Sequence, residues 1–354
     1  MAGEFLPGNG FNTYEPQDKV LVGMSGGVDS SVTVRILQEQ GFAVAGAVIR
    51  FSPCHDKAVE QAKTAAQQLG VECIVLDAQD LFDANVVQPF CDSYCKGETP
   101  NPCILCNPLV KFAALITAAD KLGCQYIATG HYARVETDEQ GISHICRAVS
   151  TARDQSYMLY RLQQDVLSRL LLPLGEFEKE DIREMAREMN LSCADSPDSM
   201  EICFIPDGDY AAFIQQRGMT AKQGNFISPE GKVVGPHKGV LHYTVGQRKG
   251  LGIALGRPVF IREICENGDI LLADAGTDLV SQIGVGDMVS PDGQPIPAGD
   301  YAVKIRSAAQ PAPAHYDGEG ILTFDPPVRA PAPGQSAVFY RNDQVAGGGF
   351  LRRI

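Results

Sequence analysis

The sequence predicts an α/β protein: a Rossmann-like, doubly wound parallel sheet followed by two smaller mostly-β domains, the last a small β-barrel. Three observations predict it. Apolar runs of strand length alternate with helical patterns from Val20 to Thr129, and glycines turn the first strand into the first helix. After about Pro206 the chain breaks into short alternating runs punctuated by Gly and Pro. A chain of 354 residues is long for one core, so several domains are expected. We divide it into an N-terminal extension at 1–18, an α/β domain at 19–206, a central domain at 207–275 and a barrel at 276–354.

Val20, Leu21 and Val22 form the apolar run of a buried parallel strand. Gly23-Met24-Ser25-Gly26-Gly27 cannot continue it, and Asp29-Ser30 supply helix N-cap chemistry. Val32, Ile36 and Leu37 mark the helix that follows, and Gly41 stops it. Phe42 to Ile49 reads as a second strand, then a helix through Ala58, Ala62, Ala65 and Leu69 closes at Gly70. Val71 to Leu76 is a third strand. Lys111 to Leu122 is helical by its Phe112, Leu115, Ile116 and Ala119 spacing, and Gln125 to Thr129 is another strand. Farther on, Val259 to Ile264 and Ile321 to Phe324 read as strands, and PDGQPIPAGD (291–300) as a turn or linker.

The strand–glycine turn–helix unit gathers unpaired backbone N–H groups and the positive end of a helix dipole at one point, which suits a phosphate. The glycines let the backbone approach an anion, and the hydroxyls of Ser25, Ser30 and Ser31 add donors. Asp29 would repel a bare phosphate, so Mg²⁺ is expected beside it. The stretch has neither GxxxxGK[ST] nor GxGxxG. Its SGGVDS resembles the signature of the PP-loop ATP pyrophosphatases, a resemblance that implies cleavage of ATP between the α and β phosphates.

Hydrophobic residues at 44% and charged residues at 21% are ordinary for a globular protein. The first eighteen residues have neither the basic nor the apolar segment of a signal peptide, and no apolar run approaches membrane-spanning length. With eleven cysteines and no export signal, the thiols are expected to be reduced and the protein cytoplasmic. A net charge of −13 argues against a nucleic-acid partner, but residues 231–262 contain no acid and six Lys or Arg, Arg248 and Lys249 among them. That local cationic face suits a phosphate backbone.

Cys91, Cys95, Cys103 and Cys106 fall within sixteen residues. Cys103-x-x-Cys106 follows Asn101-Pro102, so it should open a helix, whose N-terminus favours thiolate. Cys203 stands near the end of the α/β half. Cys73, Cys124, Cys146 and Cys265 lie in apolar runs and read as packing.

SGGVDSS, TPNPCILCN, ATGHYAR, RDQSYMLYRL, ICFIP, VGQRKGLGI and PGQSAVFY occur in that order. Together they resemble the tRNA-specific 2-thiouridylase family from about residue 19 to the C-terminus. The resemblance implies an ATP site at Gly23, Met24, Ser25, Gly26, Gly27, Val28, Asp29, Ser30 and Gly130, with Ile49 where the family has a methionine that meets adenine through its main chain. It implies tRNA contacts at Asn101, Pro102, Cys103, His131, Arg153, Asp154, Gln155, Arg306 and Gln335, although a lone histidine after a strand is also a common structural hydrogen-bonder. Ser307 stands where the family tends to have Tyr.

The resemblance further implies that ATP adenylates the C2 oxygen of the wobble uridine (position 34), and that Cys203 carries a persulfide from a donor or relay protein. Cys106 is then its partner nucleophile, and a Cys106–Cys203 disulfide forms in each cycle. The tRNAs implied are those for Lys, Glu and Gln, with no membrane involved. Many members carry Asp where this chain has Cys103. Three cysteines, Cys103, Cys106 and Cys203, suit instead a 4Fe–4S cluster with one open iron. A reading of another class makes Cys91, Cys95, Cys103 and Cys106 a structural zinc knuckle in an ATP-dependent RNA-binding module. An amide ligase is a further reading, without an evident ammonia source.

Overall fold

A computed structural model describes residues 18–195, 202–352 and 354. All but Asp18 of the N-terminal extension, and Ser199 to Glu201 ahead of ICFIP, lie outside the described residues. The α/β half contributes β1 (Lys19–Gly23), β2 (Ala43–Arg50), β3 (Cys73–Asp77), β4 (Tyr126–Thr129), the hairpin β5 (Ala133–Thr137) and β6 (Ser143–Arg147), and the short β7 (Leu170–Leu171). Five of these form a parallel sheet in the order β3-β2-β1-β4-β7. Val20, Leu21 and Val22 are fully buried, as a strand covered by helices on both faces must be. The strand order reverses at β1, so the crevice between the carboxyl ends of β1 and β4 opens where such sheets bind ligands.

Helix α1 (Val28–Glu39) follows β1, but its N-cap is Gly27, with no side-chain cap. Asp29 and Ser30 sit inside the first turn instead, which frees their side chains for other partners. Helix α2 (Asp56–Leu69) ends on Gly70 in the left-handed conformation, as expected. After α3 (Gln88–Cys95), the segments Pro102–Cys106, Asn107–Phe112 and Ala113–Leu122 run as one helix, α4 (Pro102–Leu122). It begins nine residues earlier than its apolar spacing indicated, because a π-helical turn at Asn107–Phe112 breaks the 3.6-residue period. Its length and apolarity would let it cross a membrane, contrary to expectation, yet half of it is packed inside the protein. Helix α5 (Lys179–Glu188) closes the half against α1 through Val32, Ile36, Ile182 and Ala186.

The central domain is a four-stranded sheet of β8 (Asn225–Ile227), β9 (Val233–Pro236), β10 (Val259–Ile264) and β11 (Ile270–Asp274), in the order β10-β11-β8-β9. Strands β12 (Leu279–Val289), β13 (Gly299–Lys304), β14 (Ala312–Tyr316), β15 (Ile321–Arg329), β16 (Ser336–Arg341) and β17 (Gln344–Arg352) follow. They close into a six-stranded antiparallel barrel through the β12–β17 pairing. The β5–β6 hairpin of the α/β half extends this sheet at Gln344 and Cys146.

The barrel and the α/β half share one core, in which Val338, Tyr340 and Val345 join Tyr157, Tyr160 and the α4 residues. The Tyr157 hydroxyl donates to the Ser336 carbonyl at 2.9 Å and accepts from the Ser336 N–H at 3.1 Å, and Tyr160 meets the Ser336 hydroxyl. Burial this deep keeps both phenols protonated, Tyr157 and Tyr160 alike being shifted upward by desolvation. Tyr157→Phe should leave a buried N–H and carbonyl without partners and lower stability by about 1–3 kcal/mol. Urea unfolding followed by circular dichroism measures this, since the chain has no tryptophan.

Candidate active site

A cleft of about 830 Å³ opens at the carboxyl ends of β1 and β4. That is ample for a nucleotide. Gly23, Met24, Ser25, Gly27, Val28, Asp29, Ser30, Ile49 and Gly130 all line it. Gly26 does not. Its φ is +78°, and a Cβ there would lie 2.7 Å from the Gln61 Cβ, so it packs the loop against α2 on the far side. Gly130 has its own steric reason: a Cβ would come within 2.9 Å of the Asp29–Ser30 backbone. Ile49 lies beyond the end of β1, whose Gly23 pairs with Ala47.

The serines preorganise the loop. Ser30 Oγ accepts from the Ser25 N–H at 3.1 Å, and Ser25 Oγ accepts from the Gly27 N–H at 3.4 Å. Ser31 is no ligand donor: it is buried and its hydroxyl donates to the Gly27 carbonyl. Asp29 is committed as well. Its carboxylate takes two bonds from the Lys179 ammonium, at 2.7 and 2.8 Å, and one from the Tyr132 hydroxyl at 2.8 Å. The one acid of the loop is thus held by a cation of the protein itself. Neither Lys179 nor Tyr132 was singled out from the sequence. Lys179 lies 150 residues from Asp29, and no local pattern signals the pair.

The thiols lie beside Lys111, which lines the cleft together with His131 and His55. Asn101 caps α4, its side chain accepting from the Cys103 N–H at 3.1 Å, and Pro102 is buried at the first helical position. Cys103 and Cys203 keep exposed surface and Cys106 is buried, yet the three sense one another electrically. Burial pushes all three thiols up, Cys106 to about 11 and Cys203 to about 12. Desolvation thus outweighs the helix N-terminus, which the sequence suggested would favour thiolate.

Lys111 opposes this at every thiol. Its ammonium favours the thiolate of Cys103, Cys106 and Cys203, and it lies 3.2 Å from His131 Nε2. His131 Nδ1 meets the Thr129 hydroxyl at 2.7 Å, and burial holds this ring well below its usual pKa, hence neutral. Lys111 was read only as the start of a helix. Its position five residues after Cys106, across the π-turn, is the signal that could have found it.

All eleven cysteines are free thiols, so no disulfide is formed. Among the described residues no three His, Cys, Asp or Glu side chains converge to hold a metal ion. The zinc knuckle therefore lacks its geometry: Cys91 and Cys95 lie on α3, with Cys91 buried in the core.

Among the expected RNA contacts, Arg153 is exposed at the cleft rim. Asp154 also lines the cleft; its side chain is 2% exposed, pairs with Lys304 at 3.6 Å and accepts from Ser156 and Ala148. Gln155 bonds the Tyr132 N–H at 2.9 Å. Gln335 donates to the Thr99 carbonyl, joining the barrel to the loop before Cys103. Arg306 is half-buried, donating to Ala330, whereas Arg248 and Lys249 are exposed on the central domain. Arg257, counted in the basic face, is spent on Glu230 and Asp274.

An anion-binding glycine loop at the switch point of a parallel sheet, with thiols beside the cleft-lining Lys111 and two β domains after it, defines the class: a multidomain α/β enzyme of PP-loop type. Family models match in the same sequence, a tRNA methyl transferase HUP domain over 18–207, a tRNA methyl transferase PRC-barrel domain over 211–274 and an aminomethyltransferase beta-barrel domain over 285–351. The chain is 44% identical to the tRNA-specific 2-thiouridylase MnmA of Carboxydothermus hydrogenoformans, over 95% of this chain and 98% of that one. The protein of that name from Acetivibrio thermocellus is 42% identical over 94% and 99%, and that from Clostridioides difficile 40% over 95% and 98%. The chain belongs to the tRNA-specific 2-thiouridylase family.

A thiol near pKa 11 is about one part in ten thousand thiolate at pH 7. Alkylation of Cys106 by iodoacetamide should therefore rise about tenfold per pH unit from 7 to 9, and Lys111→Met should slow it further. Peptide mass spectrometry of iron-free protein reads both rates; a plateau below pH 8 would contradict them.

Proposed function

We propose that this protein is a cytoplasmic ATP-dependent tRNA sulfurtransferase that replaces the C2 oxygen of the wobble uridine, position 34, with sulfur. The observation that supports it best is that Cys106 and Cys203, remote in sequence, interact beside Lys111, which lines a nucleotide-sized cleft. A uridine carbonyl is a poor electrophile with no leaving group. Its oxygen attacks the α-phosphorus of ATP held at the glycine loop, and pyrophosphate leaves. The glycine loop and the positive end of α1 stabilise charge on the separating phosphates.

The Cys203 persulfide then delivers sulfur. The Cys106 thiolate attacks the Cys203 sulfur, a Cys106–Cys203 disulfide forms, and hydrosulfide leaves to attack C2; AMP departs with the original oxygen. Lys111 and neutral His131 are placed to favour the thiolate and handle its proton. tRNAs for Lys, Glu and Gln are the substrates, and a persulfide-bearing protein is the donor.

A second reading is favoured by one observation, that Cys103 joins Cys106 and Cys203 in the same field of Lys111. These three thiols would hold a 4Fe–4S cluster, which supplies an open iron able to carry sulfide. Cys106→Ser and Cys203→Ser should each abolish incorporation of radiolabelled sulfur into tRNA with tRNA binding intact, under either reading. Cys103→Asp divides them. A persulfide enzyme keeps its activity with a relay donor, whereas a cluster enzyme loses iron, colour and activity.

The exposed pair on the central domain gives a separate expectation. Replacing Arg248 and Lys249 by Ala should weaken tRNA binding and reduce its salt slope by about two phosphate contacts, with ATP affinity unchanged. Filter binding from low to high salt measures the slope; an unaltered slope would move the tRNA elsewhere.

A further inference from the structure

The sulfur-transfer scheme leaves a neighbour of Cys203 unused. The turn Pro53–His55, between β2 and α2, brings Cys54 beside Cys203, remote in sequence: its thiol donates to the Cys203 carbonyl at 3.7 Å, and the two sulfurs interact electrically. Cys54 is not isolated. Its sulfur lies 3.4 Å from His55 Nδ1 and 2.9 Å from the Ser52 hydroxyl, which itself meets His55 Nδ1 at 2.9 Å. The other ring nitrogen, Nε2, is buried without a hydrogen-bond partner, and the ring packs edge-on against Phe51 and Phe82. A doubly protonated ring would have to keep its charge against that apolar wall. The ring therefore stays neutral, with one nitrogen able to accept a hydrogen bond from the thiol or the Ser52 hydroxyl.

Exposure supplies the second half of the argument. Cys106 is only 7% exposed, whereas Cys54 and Cys203 both reach the surface. A disulfide between Cys203 and Cys106 thus has one sulfur that a solution reductant reaches poorly. We propose that Cys54 is the resolving thiol of this site, converting the Cys106–Cys203 disulfide into an exposed Cys54–Cys203 disulfide.

The step rests on the persulfide reading and balances without an added oxidant. Cys54, held by His55 and exposed, loses its proton to solvent and attacks the Cys203 sulfur as thiolate; the Cys54–Cys203 bond forms as the Cys203–Cys106 bond breaks, and Cys106 leaves as thiolate beside Lys111. A small dithiol from solution then reduces the exposed disulfide, taking up the oxidation, and returns Cys54 and Cys203 as thiols.

Disulfide mapping tests it without tRNA, ATP or turnover. The full-length protein is oxidised with one equivalent of diamide, quenched with N-ethylmaleimide, digested and analysed by mass spectrometry. The expected major link is Cys54–Cys203. In Cys54→Ser and Cys54→Ala the link becomes Cys106–Cys203, and dithiothreitol reduces it roughly tenfold more slowly than the wild-type link. Wild-type protein linked only through Cys106–Cys203, or variants reduced at the wild-type rate, would overturn the proposal. Failure of the persulfide reading is separately visible: wild-type protein would not thiolate tRNA from a persulfide donor, whatever its disulfide map.

Discussion

The pairing of Asp29 with Lys179 is the interaction on which the geometry of the cleft depends. Lys179 occupies the first turn of α5, the positive end of that helix dipole, where an ammonium is disfavoured. Its side chain is 4% exposed, so it also gives up most of its hydration. The Asp29 carboxylate offsets both terms and holds the Tyr132 hydroxyl at the same time. One charge therefore ties α1, α5 and the turn after β4 together around the glycine loop. Loss of either partner would leave the other uncompensated, at a cost of about 3 kcal/mol, the lower end of the usual range because Asp29 keeps a third of its surface. The loop's serines are effective only on this frame, since each bonds within the loop whose shape the ion pair sets.

Around Lys111, the governing balance is desolvation against one cation. Three thiols desolvated by burial are costly to ionise, and Lys111 is the group that favours thiolate at all three. It can do so because the π-turn at Asn107–Phe112 shifts α4 out of register behind Cys106. A regular helix would have carried the ammonium to a different face. Buried neutral His131, within 3.2 Å of the same ammonium, keeps a nitrogen lone pair turned toward it.

The two β domains act on these thiols through the loop before α4. A Cβ on Gly97 would come within 2.5 Å of the Ile264 side chain in the central domain. The Thr99 N–H donates to the Pro333 carbonyl at 2.8 Å, and Gln335 bonds the Thr99 carbonyl. Both β domains thus brace the residues that lead into Asn101 and Cys103. Docking of the RDQSYMLYRL segment on β16 supplies the matching contact on the other side, through Tyr157, Tyr160 and Ser156. Residues quoted for RNA contact in that segment, Asp154 foremost, serve this joint.

The sequence by itself determined the local units: the strand–glycine turn–helix that begins at Lys19, the α2 cap at Gly70, the Asn101-Pro102 helix start and the alternating strands at Val259–Ile264 and Ile321–Phe324, the last of which runs on to Arg329. Each is decided within a few residues by periodicity, φ preference or capping chemistry, and these are written in neighbouring letters. The ordered motifs went further and identified the family. Only the tertiary structure decided which charges cancel and which thiols meet. Asp29 gained Lys179 from α5, Asp154 gained Lys304 from the barrel, and Cys54 had no role until the turn before α2 set it on Cys203. The thiol pKa values reversed direction for the same reason. Desolvation and ion pairing depend on what surrounds a group in space, and its sequence neighbours supply only a small part of that surrounding.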